Sequence, residues 1–140
     1  MEQTILIPID GTESVEKTLL YVRSISKREK TQVVLMHVTP KVDSLNAAVE
    51  VHPHVSAIHN ALQSEDWTVK REERIGDPVR EIIKMSILLP ATMIMMSTHG
   101  RSGIERIREG SVTEQVLKQS PCPVFILHST RQQPVDNRSK

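Results

Sequence analysis

The sequence predicts an α/β fold: a single-domain three-layer α/β/α sandwich around a five-stranded, mostly parallel sheet. Three observations carry that expectation. The chain has 140 residues, enough for one domain with a real core. Five short strand-like runs alternate with longer amphipathic stretches, the pattern of βαβ crossovers. Four of those runs are apolar almost without interruption, as expected of strands buried on both faces.

Thr4-Ile5-Leu6-Ile7-Pro8-Ile9 is the first buried strand and ends at Asp10-Gly11. Between Thr12 and Lys27, Val15, Leu19, Val22 and Ile25 recur at helical spacing and mark one apolar face. Val33-Val34-Leu35-Met36-His37-Val38 is the second strand, stopped by Thr39-Pro40. Pro53 argues against an unbroken helix from Lys41 to His54, whereas Val55, Ile58 and Leu62 form a helical face after it. Thr68 to Glu73 is polar and reads as an edge strand. Asp77-Pro78 supplies an N-cap acid and a first-turn proline, and Val79, Ile82, Ile83 and Ile87 continue that helix to Pro90. Thr92 to Met96 and Val124 to Leu127 are the fourth and fifth strands. Ser111 opens the last helix, Glu114 completes an S-x-x-E capping box, and Val112, Val116 and Leu117 are expected to face the core. Residues 1–128 are read as the domain, and residues 129–140 as a polar, flexible tail.

Composition narrows the function. Eighteen basic side chains against seventeen acidic ones, with three aromatics, give neither a basic field nor a stacking platform for nucleic acid. No run approaches the ~20 apolar residues of a membrane helix, and no leader pattern opens the chain. One cysteine, Cys122, excludes an internal disulfide framework and fits a reducing, cytoplasmic location.

Glycine is scarce, yet three of the five (Gly100, Gly103 and Gly110) fall within eleven residues. They follow the fourth strand and precede the capped helix at Ser111. A strand, a glycine loop and a helix N-terminus can hold an anion, because free N–H groups and the positive end of the dipole face the loop. Arg101 could add a positive charge there. The spacing matches neither a Walker loop nor a G-x-G-x-x-G fingerprint. By spacing alone it reads first as an ordinary loop with Ser111 as a plain cap. Asp10 ends the first strand, and in a parallel sheet it would face that loop across the ligand-binding crevice. A turn with Gly11, or capping of the first helix, accounts for Asp10 equally well.

The chain resembles the universal stress protein family over nearly all of residues 1–128. The resemblance is carried by Ile5-Leu6-Ile7-Pro8-Ile9-Asp10-Gly11, Met36-His37-Val38, Gly76-Asp77-Pro78, Thr98-His99-Gly100-Arg101-Ser102-Gly103, Gly110-Ser111-Val112 and Pro121-Cys122-Pro123-Val124. The family signature G-x2-G-x9-G-[ST] falls on Ser97, Gly100, Gly110 and Ser111, with Ser97 in place of its first glycine. Arg108-Glu109 replaces the apolar pair often found before Gly110.

The resemblance implies strand order 3-2-1-4-5, the adenine nucleotide alpha hydrolase-like arrangement, usually as a dimer. It implies a nucleotide site in which Asp10 and the backbone around Val38 hold the adenosine end, with Pro8 counted among the nucleotide-binding residues. Ser97, Gly100, Arg101, Gly110, Ser111 and Val112 would surround ribose and phosphates. ATP or another adenine nucleotide is the expected cofactor, with Mg2+ held by its phosphates. The expected role is stress-response regulation through an unidentified protein partner, with at most slow ATP hydrolysis. A symmetric dimer would close the edge formed by Val124, Phe125, Ile126 and Leu127. The alternative is a nucleotide-free interaction module on the same dimeric scaffold.

Rival chemistries are weaker. Ser97, Thr98, His99, Ser102 and Asp10 lack the G-x-S-x-G elbow of a hydrolase. His52, His54 and His59 lack a recognisable set of metal ligands and read as solvated. Met93, Met95 and Met96 read as core filling, and His37 as structural. Arg71 to Arg74 read as a mixed-charge edge, and Cys122 as a small buried residue.

Overall fold

Alternation along each strand decides which helices cover which face of the sheet. The structure, a computed structural model, describes residues 2–41, 53–98 and 110–128. Five strands, β1 (Gln3–Pro8), β2 (Thr31–Thr39), β3 (Thr68–Ile75), β4 (Met93–Thr98) and β5 (Val124–His128), form one parallel sheet of order β3-β2-β1-β4-β5. Four helices connect them: α1 (Val15–Ile25), α2 (Pro53–Ser64), α3 (Pro78–Leu88) and α4 (Val112–Gln119).

Ile5, Ile7, Val33, Leu35 and Met95 point to one side and pack with Leu19 and Val22 of α1 and with Val55, Ile58 and Leu62 of α2. Leu6, Val34, Met36, Ile94 and Met96 point to the other side, against Val79, Ile82 and Met85 of α3 and Val116 of α4. Burial on both faces explains the uninterrupted apolar runs of β1, β2 and β4. The predicted sandwich and the expected strand order are both present.

Helix boundaries follow local chemistry. α1 begins at Val15, three residues later than the periodicity suggests, because Ser14 is its N-cap and accepts from the Lys17 N–H at 3.1 Å. α2 begins at Pro53, where proline supplies the helical φ and needs no N–H partner. Asp77 caps α3 through the Arg80 N–H at 2.9 Å. Ser111 caps α4 through the Glu114 N–H at 3.1 Å. The Glu114 carboxylate reaches one residue further back than a capping box requires, accepting from the Gly110 N–H at 3.3 Å and from Lys118 at 3.1 Å.

Three expectations are corrected. Val112 and Leu117 are 38% and 39% exposed, so α4 buries only Thr113 and Val116. This eight-residue helix presents too narrow a face to bury four side chains. Cys122 is half-buried at the margin of the α3 and α4 cluster, with its N–H bonded to Ser120 Oγ at 3.2 Å. β3 lies at the sheet edge as predicted, although its charged residues are half-buried rather than fully solvated. His37 faces Glu73 on that strand at 3.2 Å, and Arg74 faces Glu72 at 3.5 Å.

Candidate functional site

In a parallel sheet the loops diverge where strand order reverses, leaving a crevice beyond the carboxyl ends of the strands. Here the chain leaves β1 toward β2 on one side and returns to β4 on the other. A cleft of about 140 Å³ lies at that point. Its β1 wall is Pro8, Ile9, Asp10 and Glu13, and Met36 and Val38 come from β2. Pro78 and Ile82 of α3, Met96 and Ser97 of β4, and Val112 and Thr113 of α4 complete it.

Of the residues singled out in the sequence, Pro8, Asp10, Val38, Ser97 and Val112 come together as lining. Val112 lines the cleft because it stands in the first turn of α4, which also explains why it does not join the core. Gly110 and Ser111 adjoin it at the helix start. Gly100 and Arg101 lie outside the described residues, as do His52, His99, Arg108 and Glu109.

Gly110 takes φ +77°, a backbone region that glycine enters without strain. Its carbonyl accepts from Gln115 Nε2 at 2.8 Å, so both groups of its peptide are tied to α4. Ser111 Oγ accepts the cap bond and keeps its own O–H to donate. A helix start leaves four N–H groups without intrahelical partners and carries partial positive charge. This wall therefore suits an anion.

The β1 wall has the opposite character. Asp10 Oδ1 accepts from the Thr12 N–H at 3.0 Å and from the Thr12 hydroxyl. Glu13, which no sequence pattern had marked, is only 5% exposed. Its two carboxylate oxygens accept from the Gly11 N–H at 3.0 and 3.1 Å, and from the Asp10 N–H as well. Gly11 at φ +100° lets these consecutive N–H groups turn toward one acceptor, an arrangement that suits an anion.

Burial raises the Glu13 carboxyl above the usual carboxylate range, and the nearby Asp10 charge adds to this against the lowering effect of the backbone N–H groups. Glu13 therefore holds its proton more tightly in the folded than in the unfolded chain. Its stabilising contribution is complete below pH 4.5, the ordinary value, and is lost as pH rises through the raised one. Glu13→Gln cannot ionise. Urea titrations at pH 4 and pH 7 are therefore expected to show the wild type losing stability relative to this variant as pH rises. An unchanged difference between the two pH values would contradict the burial of that charge.

Among the described residues no group of three or more His, Cys, Asp or Glu side chains is arranged to hold a metal ion. His54 and His59 are half-buried on α2 rather than solvated. Among the described residues no helix is long and apolar enough to cross a membrane.

The family model for the universal stress protein family matches residues 1–128. Universal stress protein MJ0577 of Methanocaldococcus jannaschii is 27% identical over 154 residues, covering 91% of this chain and 95% of that protein. The solved structure of MJ0577 superposes with a TM-score of 0.65 at 26% identity, covering 94% of this chain and 99% of its own. A universal stress protein in complex with cAMP shares the fold at TM-score 0.67 and 15% identity, over 91% and 98% of the two chains. A family protein from Arabidopsis thaliana with AMP bound does so at 0.65 and 13%, over 96% and 97%.

Proposed function

The chain belongs to the universal stress protein family, and from that premise we propose that its cleft binds an adenine nucleotide, with ATP as the working ligand. One observation carries the reading: the cleft has two chemically opposite walls. Asp10 on the β1 wall suits the hydroxyl and amino donors of a nucleoside. The N-terminus of α4, with the Ser111 hydroxyl and the Gly110 turn beside it, suits phosphates. Pro8 and Val38 add apolar surface for a base, and Ser97 stands on β4 with a hydroxyl in place of the signature glycine. Gly100 and Arg101 would complete the phosphate end, and Mg2+ would travel on the phosphates. The complexes of fold relatives with cAMP and AMP support the choice of an adenine base.

Binding would be the signal, read by a protein partner in a stress response, with hydrolysis at most slow. Signalling by binding alone needs no general base for phosphoryl transfer. Residues 1–128 would act as one cytoplasmic domain with residues 129–140 as an appended tail. A second copy would pair along β5, whose Val124, Phe125 and Ile126 are only half-buried, whereas Leu127 is already buried within its own chain.

Calorimetry of the purified protein against Mg-ATP and AMP tests the ligand. Saturable heat is expected, with stabilisation of about 2.7 kcal/mol at a hundredfold excess over the dissociation constant. Neither heat nor a thermal shift at millimolar nucleotide would reject the reading. The second reading, a nucleotide-free interaction module, then takes its place. It is favoured by the charge of the cleft, whose ionisable lining groups among the described residues, Asp10 and Glu13, are both acids.

A further inference from the structure

We propose that Glu13 is the positioning residue of this site: its carboxylate fills the pair of consecutive N–H groups at the end of β1 and thereby fixes where Asp10 stands. The inference rests on the nucleotide reading for its ligand, but its geometry is independent of it. Both oxygens of Glu13 lie 3.0 to 3.1 Å from the Gly11 nitrogen, and both also accept from the Asp10 N–H. Asp10 is thus held through its own backbone by Glu13, while its side chain is anchored by Thr12.

A simpler role as helix cap does not account for Glu13. α1 already has its N-cap in Ser14. Ion pairing does not account for it either. Among the described residues, the cleft receives apolar side chains and the hydroxyls of Ser97 and Thr113 from β2, α3, β4 and α4, and the other ionisable group lining it is Asp10, of the same sign. A buried carboxylate beside a second carboxylate costs folding stability. Groups kept at such a cost belong characteristically to sites rather than to cores.

The same geometry gives the cleft a direction. Two adjacent N–H groups aimed at one point would attract a phosphate. With the Glu13 side-chain oxygens there instead, that cradle is already occupied by an acceptor. The β1 wall then accepts hydrogen-bond donors, and phosphates are left to α4.

The test uses the full chain and its Glu13→Ala and Glu13→Gln variants, with amide hydrogen exchange of the free protein and calorimetric titration with AMP. In Glu13→Ala the Asp10 and Gly11 amides should exchange at least tenfold faster, and AMP affinity should fall at least tenfold. Glu13→Gln keeps an oxygen acceptor at the same reach, and should restore both to within about threefold of wild type. A general loss of structure would not be rescued selectively in this way. Should the alanine variant fail to fold, Glu13→Asp, one methylene shorter, is expected to give the same two losses. Unchanged exchange at Asp10 and Gly11, or unchanged AMP affinity in a variant whose wild type binds, overturns the inference. If the wild type itself binds no AMP, the nucleotide reading falls, and the exchange rates alone decide the role of Glu13.

Discussion

Replacing Leu6 by alanine is expected to lower the free energy of unfolding by about 3 kcal/mol. Leu6 is fully buried on β1, the central strand, where it pairs with Val34 of β2 and Ile94 of β4. Its side chain belongs to the cluster under α3 and α4. Truncation removes apolar burial and leaves a cavity that neighbours on three strands can fill only in part. Such a loss is a large share of the roughly 5–15 kcal/mol that holds a domain folded. Met36, Ile82 and Met96 of the same cluster also line the cleft, so the floor of the site would loosen with it. Urea denaturation measures the effect, as a lower midpoint with an unchanged m-value. A loss below about 1 kcal/mol would mean that the cluster is not close-packed.

Gly110→Ala is expected to weaken adenine-nucleotide binding at least tenfold, about 1.4 kcal/mol. Among the described residues a methyl group built on Gly110 would meet nothing within 4 Å, so the expected penalty is conformational. An alanine held at φ +77° costs about 1–2 kcal/mol. Escape to negative φ would break the bonds that tie the Gly110 peptide to Glu114 and Gln115, and would move Ser111 away from the start of α4. Either outcome disturbs the wall assigned to phosphates. Calorimetry with Mg-ATP against wild type and variant decides it, and equal affinities would remove Gly110 from the site.

Much of the fold was readable because a strand covered on both faces cannot hide its character. Ile5 to Ile7, Val33 to Met36 and Ile94 to Met96 are apolar at consecutive positions for that reason alone. Helix starts were readable at Asp77 and at Ser111, where a side-chain acceptor stands three residues before the N–H it serves. Strand order has no local signal, since it depends on which distant edges pair, and it was anticipated only through the family resemblance.

The site was readable where a strand end or a helix start marks it, as with Asp10, Ser97 and Val112. Glu13 was not. It sits in a turn outside any period, and its carboxylate is buried only because the β1 turn folds back over it. The signal that could have found it is an acid two residues beyond an Asp-Gly pair whose N–H groups face away from the strand. Met36, Ile82 and Met96 were expected in the core or on helix faces, and they do both jobs, which no one-dimensional pattern distinguishes.

Trp67, the single tryptophan of the chain, is 8% exposed and packs in the cluster beneath α1 and α2. Its indole is therefore a one-sided fluorophore. Its emission reports on the sheet face opposite Leu6 and carries no competing signal from a second indole. If emission and far-ultraviolet circular dichroism trace the same urea transition in Leu6→Ala, the two faces melt as one cooperative unit. If emission lags, the sheet has two separable melting halves, and the half that carries the cleft opens first.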